Sequence, residues 1–217
     1  MKKFYKDTSK GKSYFYYYGW TILVFIGGFF LIFFFIFQAM FYVKRTQKIE
    51  LFIAAHGLKD DNYHKNIEKT FKPNGLIEMN VYSYIEDEIN IYNYFSANGE
   101  NADYIIFSET NVKDMQDYVL DNYYDVTSLV SDIPAISAFE TYSYEDKPVG
   151  IKIYDGSNSS YNEKFKFSDL IEFTKEGKET ESYYLLIDTG SPNFNKEKNH
   201  TLGYSVLQYF LDDMTKK

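Results

Sequence analysis

The sequence predicts an α/β domain, with a mainly parallel sheet flanked by helices, behind an N-terminal transmembrane helix. Three observations carry this expectation. Ser13 to Val43 are 31 consecutive residues without a charged side chain. From Ile49 onward, short apolar runs alternate with stretches of helical spacing. Charge also divides along the chain. Residues 1–48 hold eight basic side chains and one acidic, so within an overall net charge of −8 the remaining 169 residues carry −15.

The elements follow in order. Residues 1–12 form a basic tail expected in the cytoplasm, 13–43 the span, 44–48 a juxtamembrane linker and 49–217 an extracytoplasmic domain. Trp20 to Phe37 is apolar except for Thr21, and roughly 20 such residues cover the hydrocarbon of a bilayer. Tyr14, Tyr16, Tyr17, Tyr18 and Trp20 mark one interface, and Phe41 and Tyr42 the other. The apolar run is too long for a cleaved signal peptide, and Phe37-Gln38-Ala39-Met40 offers no small-x-small cleavage site. Five lysines precede the span (Lys2, Lys3, Lys6, Lys10, Lys12), against Lys44, Arg45 and Lys48 after it, which favours a cytoplasmic N-terminus. Phe25, Phe29, Phe33 and Phe37 recur every four positions as a candidate packing face for another membrane helix, lipid contact being the simpler reading.

Ile49–Ala55 reads as a buried strand running into a turn at His56-Gly57. Asp60–Phe71 follows as a helix capped by Asp61 or Asn62, and Lys72-Pro73-Asn74-Gly75 stops it. Ile77 to Ser83 alternates as a second strand, Glu86–Ala97 is a second helix, Ala102–Ser108 a third strand and Asn111–Leu120 a third helix. Phe139–Tyr144 and Val149–Tyr154 flank Glu145-Asp-Lys-Pro148 as a hairpin. Ser182–Ile187 is another strand, and Thr201–Met214 a closing amphipathic helix. The loop from Asp155 to Tyr161 looks the most flexible stretch.

Composition excludes several classes. With no cysteine there is no disulfide framework, thiolate metal site, cysteine nucleophile or lipoprotein anchor. The acidic balance argues against nucleic acid as a partner. His56, His64 and His200 have no metal spacing, and neither a phosphate-binding loop nor Gly-x-Ser-x-Gly occurs. Asp60-Asp61 and Glu86-Asp87-Glu88 fit helix starts better than calcium loops. No metal or cofactor is expected.

The order strand Ile49–Ala55, helix, strand Ile77–Tyr84, helix, Ala102-Asp-Tyr-Ile-Ile-Phe-Ser108 resembles the N-terminal lobe of extracellular solute-binding proteins of bacterial ABC transporters. Tyr142 to Ile153, with its Gly-Ile-Lys strand, and Tyr183–Ile187 with the closing helix resemble further segments of those proteins, the latter their return into the first lobe. A complete two-lobed binding protein is about twice this long, so the resemblance implies one periplasmic-binding-protein-like lobe without the clamshell trapping of ligand. The span then replaces a lipid anchor as tether. The implied role is a non-enzymatic, membrane-anchored accessory subunit of an ABC importer, for carbohydrate. Its partners would be permease subunits or a full-length solute-binding protein, with membrane lipid around the span. An oligosaccharide is the candidate ligand, although half a cleft buries too little surface for tight capture. A scaffold or sensor module of another envelope complex is the alternative.

Ligands of open α/β sheets bind beyond the carboxyl ends of the strands. Here those ends supply His56, Gly57, Tyr84, Ser108 and Glu109 as ligand or partner contacts, beside the simpler reading that they are ordinary loop residues. Leu185-Leu-Ile-Asp188-Thr189-Gly190 matches the surroundings of an aspartic-peptidase aspartate, which a homodimer would complete. The motif lies too near the C-terminus for that fold, and a strand ending in a turn, with Asp188 bonding its own backbone, explains it more simply.

Overall fold

The computed structural model describes residues 8–60, 62–85, 93, 95–115, 118, 121–175 and 180–215. Contacts divide the chain into Met1–Tyr42 and Val43–Lys217. In the first unit, Thr8–Phe41 forms one helix of 34 residues, α1. Within it, Thr21–Met40 is long and apolar enough to cross a membrane. Phe25, Phe29, Phe33 and Phe37 are each more than half exposed on this helix. The Phe29 and Phe33 rings stack with centroids 6.4 Å apart, as side chains four residues apart on one helical face do.

The second unit is a mixed six-stranded sheet with helices on its faces. Its strands are β1 (Lys48–Ala55), β3 (Glu78–Ile85), β4 (Tyr104–Ser108), β5 (Thr141–Tyr144), β6 (Lys147–Tyr154) and β8 (Tyr183–Ile187). They lie in the order β3-β1-β4-β8-β6-β5. β1 is parallel to both β3 and β4. β8 runs antiparallel to β4 and to β6, and β6 antiparallel to β5. The sheet is thus parallel in one half only, because the hairpin and the late strand β8 both enter antiparallel. A small second sheet pairs β2 (Gly57–Leu58) with β7 (Ile171–Glu172).

Packing follows the period of two. Ile49, Leu51, Ile53, Ile106 and Leu185 share one face with Ile67 and Phe71 of α2 (Tyr63–Phe71) and Leu207 and Phe210 of the closing helix (Leu202–Thr215). Phe52, Ala54, Ile105, Phe107 and Leu186 turn to the other face, against Phe95, Val112 and Tyr123. Ile49 to Ala55 is buried along its whole length, which is why Leu51 to Ala55 reads as an unbroken apolar run rather than an alternation. Each large side chain removed from water there contributes about 1.5–3 kcal/mol.

Several boundaries move for local reasons. α2 begins at Tyr63, not Asp60, because Asp60 Oδ1 accepts the Asn62 N–H at 2.9 Å and holds the entering turn. Asp61 lies outside the described residues. So does most of the expected helix Glu86–Ala97; Phe95–Gly99 is a single wide π turn. The third helix, α3, is Glu109–Asp114, and it starts two residues early because Ser108 Oγ caps the Asn111 N–H at 3.3 Å. The hairpin turns on Glu145 and Asp146, both with positive φ (47° and 64°). Two such residues give the turn the twist that antiparallel strands require.

The stretch after Asp155, expected to be flexible, is tied down. Asp155 Oδ1 accepts from both the N–H and the hydroxyl of Ser157, and Asn162 brackets the Asp155 backbone with bonds of 2.8 and 2.7 Å. A further helix, α4 (Ser159–Lys164), starts inside it, capped by Asn158. Residues 44–48, expected as a linker, are likewise built into the second unit. Arg45–Gln47 form a 3-10 turn, Lys48 opens β1, and the Ile77 N–H donates to the Gln47 carbonyl at 2.8 Å.

Candidate functional site

The residues expected to make contacts at the carboxyl ends of β1, β3 and β4 align along one end of the sheet, where each also has partners within the fold. The His56 N–H donates to the Glu172 carbonyl at 2.9 Å, and Gly57 pairs with Glu172 in the small sheet. A side chain at Gly57 would meet the Glu172 carboxylate at 3.0 Å. Nδ1 of His56 is buried with no partner among the described residues. Tyr84 stacks on Phe52 at 5.3 Å. Ser108 is fully buried and serves as a helix cap. Glu109 pairs with Lys113 at 2.6 Å on the surface. The β2–β7 pair directly follows the end of β1.

An open cavity of about 370 Å³ instead lies at the opposite end, against the start of β1 and the end of β8. Arg45, Glu50, Tyr82, Asn101, Asp188 and Ser191 are among its lining residues. Its floor is a charge network around Asp103, which is fully buried. Asp103 Oδ2 accepts from Arg45 Nη1 at 3.0 Å and from the Glu50 N–H at 2.7 Å. Its Oδ1 accepts from the Ser191 hydroxyl and from Asn193 Nδ2, the latter at 2.8 Å. Asn193 Nδ2 also donates to the Lys48 carbonyl at 2.8 Å. A buried carboxylate is tolerable only with this density of donors and an opposite charge.

The cations of the site are spent on its acids. Arg45 Nη1 also reaches the Lys48 carbonyl at 3.0 Å, while Nη2 serves the Asn101 carbonyl and lies 3.4 Å from Glu50 Oε2. Lys48 Nζ pairs with Glu50 Oε1 at 2.9 Å. Burial pulls the Lys48 ammonium pKa down, but the bond and the charge of Glu50 outweigh it and leave it raised. Tyr82 leans a hydroxyl toward Glu50 Oε1 at 3.5 Å.

Asp188 differs. Its Oδ1 accepts the Gly190 N–H at 2.8 Å, the turn the simpler sequence reading expected. Burial pushes its pKa above the usual carboxylate range; the Gly190 bond works against this, the Asp103 charge adds to it and Arg45 opposes it. No cation pairs with Asp188 among the described residues. An aspartic-peptidase dyad needs two carboxylates sharing one proton. Asp103, the nearby acid in this chain, is instead locked to Arg45.

Sequence reasoning passed over Arg45, Glu50, Asp103 and Asn193. Arg45 was counted only among the charges flanking the span. The one available signal was an acid, Asp103, directly before a fully apolar strand, where a charge needs a buried partner. Compared with known proteins, the chain matches no family model, no curated sequence and no solved structure. What the fold and site define is an α/β domain behind an N-terminal helix able to span a membrane, with a polar, charge-networked cavity at the amino ends of its parallel strands.

Proposed function

We propose that the chain is a non-enzymatic, membrane-anchored accessory subunit of an ABC importer, for carbohydrate. Its N-terminus is cytoplasmic, and its outer domain is one solute-binding-protein-like lobe that docks on the permease or on a full-length binding protein. One observation carries the reading. The first three strands lie in parallel as second-first-third, and the late strand Tyr183–Ile187 returns antiparallel beside the third before the closing helix. That return matches the segment whose sequence resembles re-entry into a first lobe. The net charge of −15 on the outer residues supports a domain held away from anionic lipid and free to meet a protein partner.

Affinity purification of the tagged full chain from mild detergent tests the reading. Permease or binding-protein subunits are expected to co-purify. A clean preparation free of any transporter subunit, from cells that express the neighbouring transporters, overturns it. Protease added outside intact cells should remove the outer domain, and its protection would reverse the orientation.

A further inference from the structure

We propose that the cavity between Arg45, Tyr82 and Asp188 binds a small primary-ammonium group, with Asp188 as its charge partner. The inference rests on which groups are already satisfied. Nη1 of Arg45 donates to the Lys48 carbonyl and Asp103, and Nη2 donates to the Asn101 carbonyl and lies 3.4 Å from Glu50, so the guanidinium charge is already taken up by two acids. Lys48 is held by Glu50. Two acids and two bases thus close on one another, and Asp188 stands over as an uncompensated carboxylate on the cavity wall, with one oxygen bonded to Gly190 and the other without a partner among the described residues. The remaining charge of the site is negative, and so is the domain around it, which raises the local concentration of cations.

The shape of the lining narrows the cation. A calcium or magnesium ion needs six or more oxygen ligands, and no group of three or more acids and histidines able to hold a metal occurs among the described residues. A quaternary ammonium needs an aromatic cage, whereas Tyr82 is the one aromatic residue of this lining among the described residues. A primary ammonium has three N–H donors on one point. Asp188 and Tyr82 of the lining offer oxygens to such a group, the Tyr82 oxygen while also accepting Asn80 Nδ2 at 3.3 Å, and Asn101 adds a side-chain amide to the same wall. A volume of about 370 Å³ admits a ligand of monosaccharide size. The chemistry is shared by a soluble amino sugar and by the ethanolamine headgroup of a lipid, and the latter is relevant because Arg45 follows the end of α1 by only four residues.

Calorimetric titration of the full chain in phosphatidylcholine nanodiscs tests this with glucosamine, ethanolamine and the uncharged N-acetylglucosamine. Glucosamine and ethanolamine should bind, with N-acetylglucosamine at least tenfold weaker. Asp188→Asn should lose tenfold or more in glucosamine affinity, and Tyr82→Phe severalfold, both with melting curves as cooperative as the wild type. Discs containing phosphatidylethanolamine should reduce glucosamine binding if the headgroup is the natural source; unchanged binding assigns a soluble amine. Equal binding of charged and acetylated sugar, an unaffected Asp188→Asn, or no binding of any amine overturns the proposal. It does not depend on the importer reading, since failure to co-purify a transporter leaves these affinities untouched.

Discussion

Oδ2 of Asp103 lies 3.0 Å from Nη1 of Arg45, 58 residues earlier in the chain, and this contact ties the first turn of the α/β domain to the start of β4. The acid is fully buried and the arginine only partly, so the two substitutions are unequal. Arg45→Met leaves a carboxylate buried without its cation and should cost about 3 kcal/mol in urea unfolding of the full chain in micelles. Adding Asp103→Leu should recover part of that loss, because an apolar pair needs no desolvation of charge. A double variant no more stable than Arg45→Met would show that Asp103 is held by Ser191, Asn193 and the Glu50 N–H without need of the arginine.

What could be read in advance follows from the range of the forces. Ile49–Ala55, the hairpin around Glu145-Asp146 and the closing helix were legible because periodicity and turn chemistry are local. The antiparallel entry of β8 and the pairing of Gly57 with Glu172 were not, since each depends on surfaces brought together from distant segments. The same holds for the site. Asp188 and its turn were visible as a motif, whereas Arg45 carried no local sign of burial. A cavity at the amino ends of the strands departs from the usual location for open α/β sheets, and it is built by Arg45, Asp103 and Ser191, which come from segments far apart in the chain.

Asp188 gives a pH test of its missing partner. Burial raises its pKa in the fold. A carboxylate raised above its unfolded value near 3.9 lends its stabilisation below that value, and loses it as pH rises through the folded pKa. At pH 7 the unpaired charge therefore opposes folding. Asp188→Asn keeps an oxygen for the Gly190 N–H and removes the charge, so it should melt higher than the wild type at pH 7. The gain should vanish below about pH 4. A lower melting temperature at neutral pH would mean that Asp188 has a cation partner in the folded chain.

Asp155 has the opposite sign. Its pKa is held down at about 2, chiefly by the Ser157 N–H, against the effect of burial, with Lys152 at 3.0 Å assisting. A depressed carboxylate contributes stability above its unfolded pKa and loses it as pH falls through the folded one, here a window from about 4 down to about 2. Asp155→Asn should cost about 1.5 kcal/mol at pH 7, the scale of a hydrogen bond to a charged group. The variant and the wild type should converge by pH 2 in thermal melts. Parallel curves across that window would remove Asp155 from the acid response.

Gly203 tests the packing beneath the closing helix. A Cβ there would stand 2.6 Å from Cε2 of Phe194 and 2.9 Å from Cδ2 and Cζ, inside any real contact. The ring has nowhere to retreat: it is almost fully buried, with Tyr104 at 5.7 Å and Tyr204 at 4.9 Å between centroids. The backbone is held too, because the Gly203 carbonyl accepts the Tyr104 hydroxyl at 2.7 Å. Alanine gains about 1 kcal/mol over glycine in a helix interior and less near its first turn, while overpacking a closed core costs about 1–3 kcal/mol. The clash should win, and Gly203→Ala should destabilise the domain. Phe194→Leu alone should also destabilise, by loss of ring packing, yet combined with Gly203→Ala it should lose less than the two separate costs together. Simple additivity in that double-mutant cycle would show that the cost of Gly203→Ala does not come from a clash with the Phe194 ring.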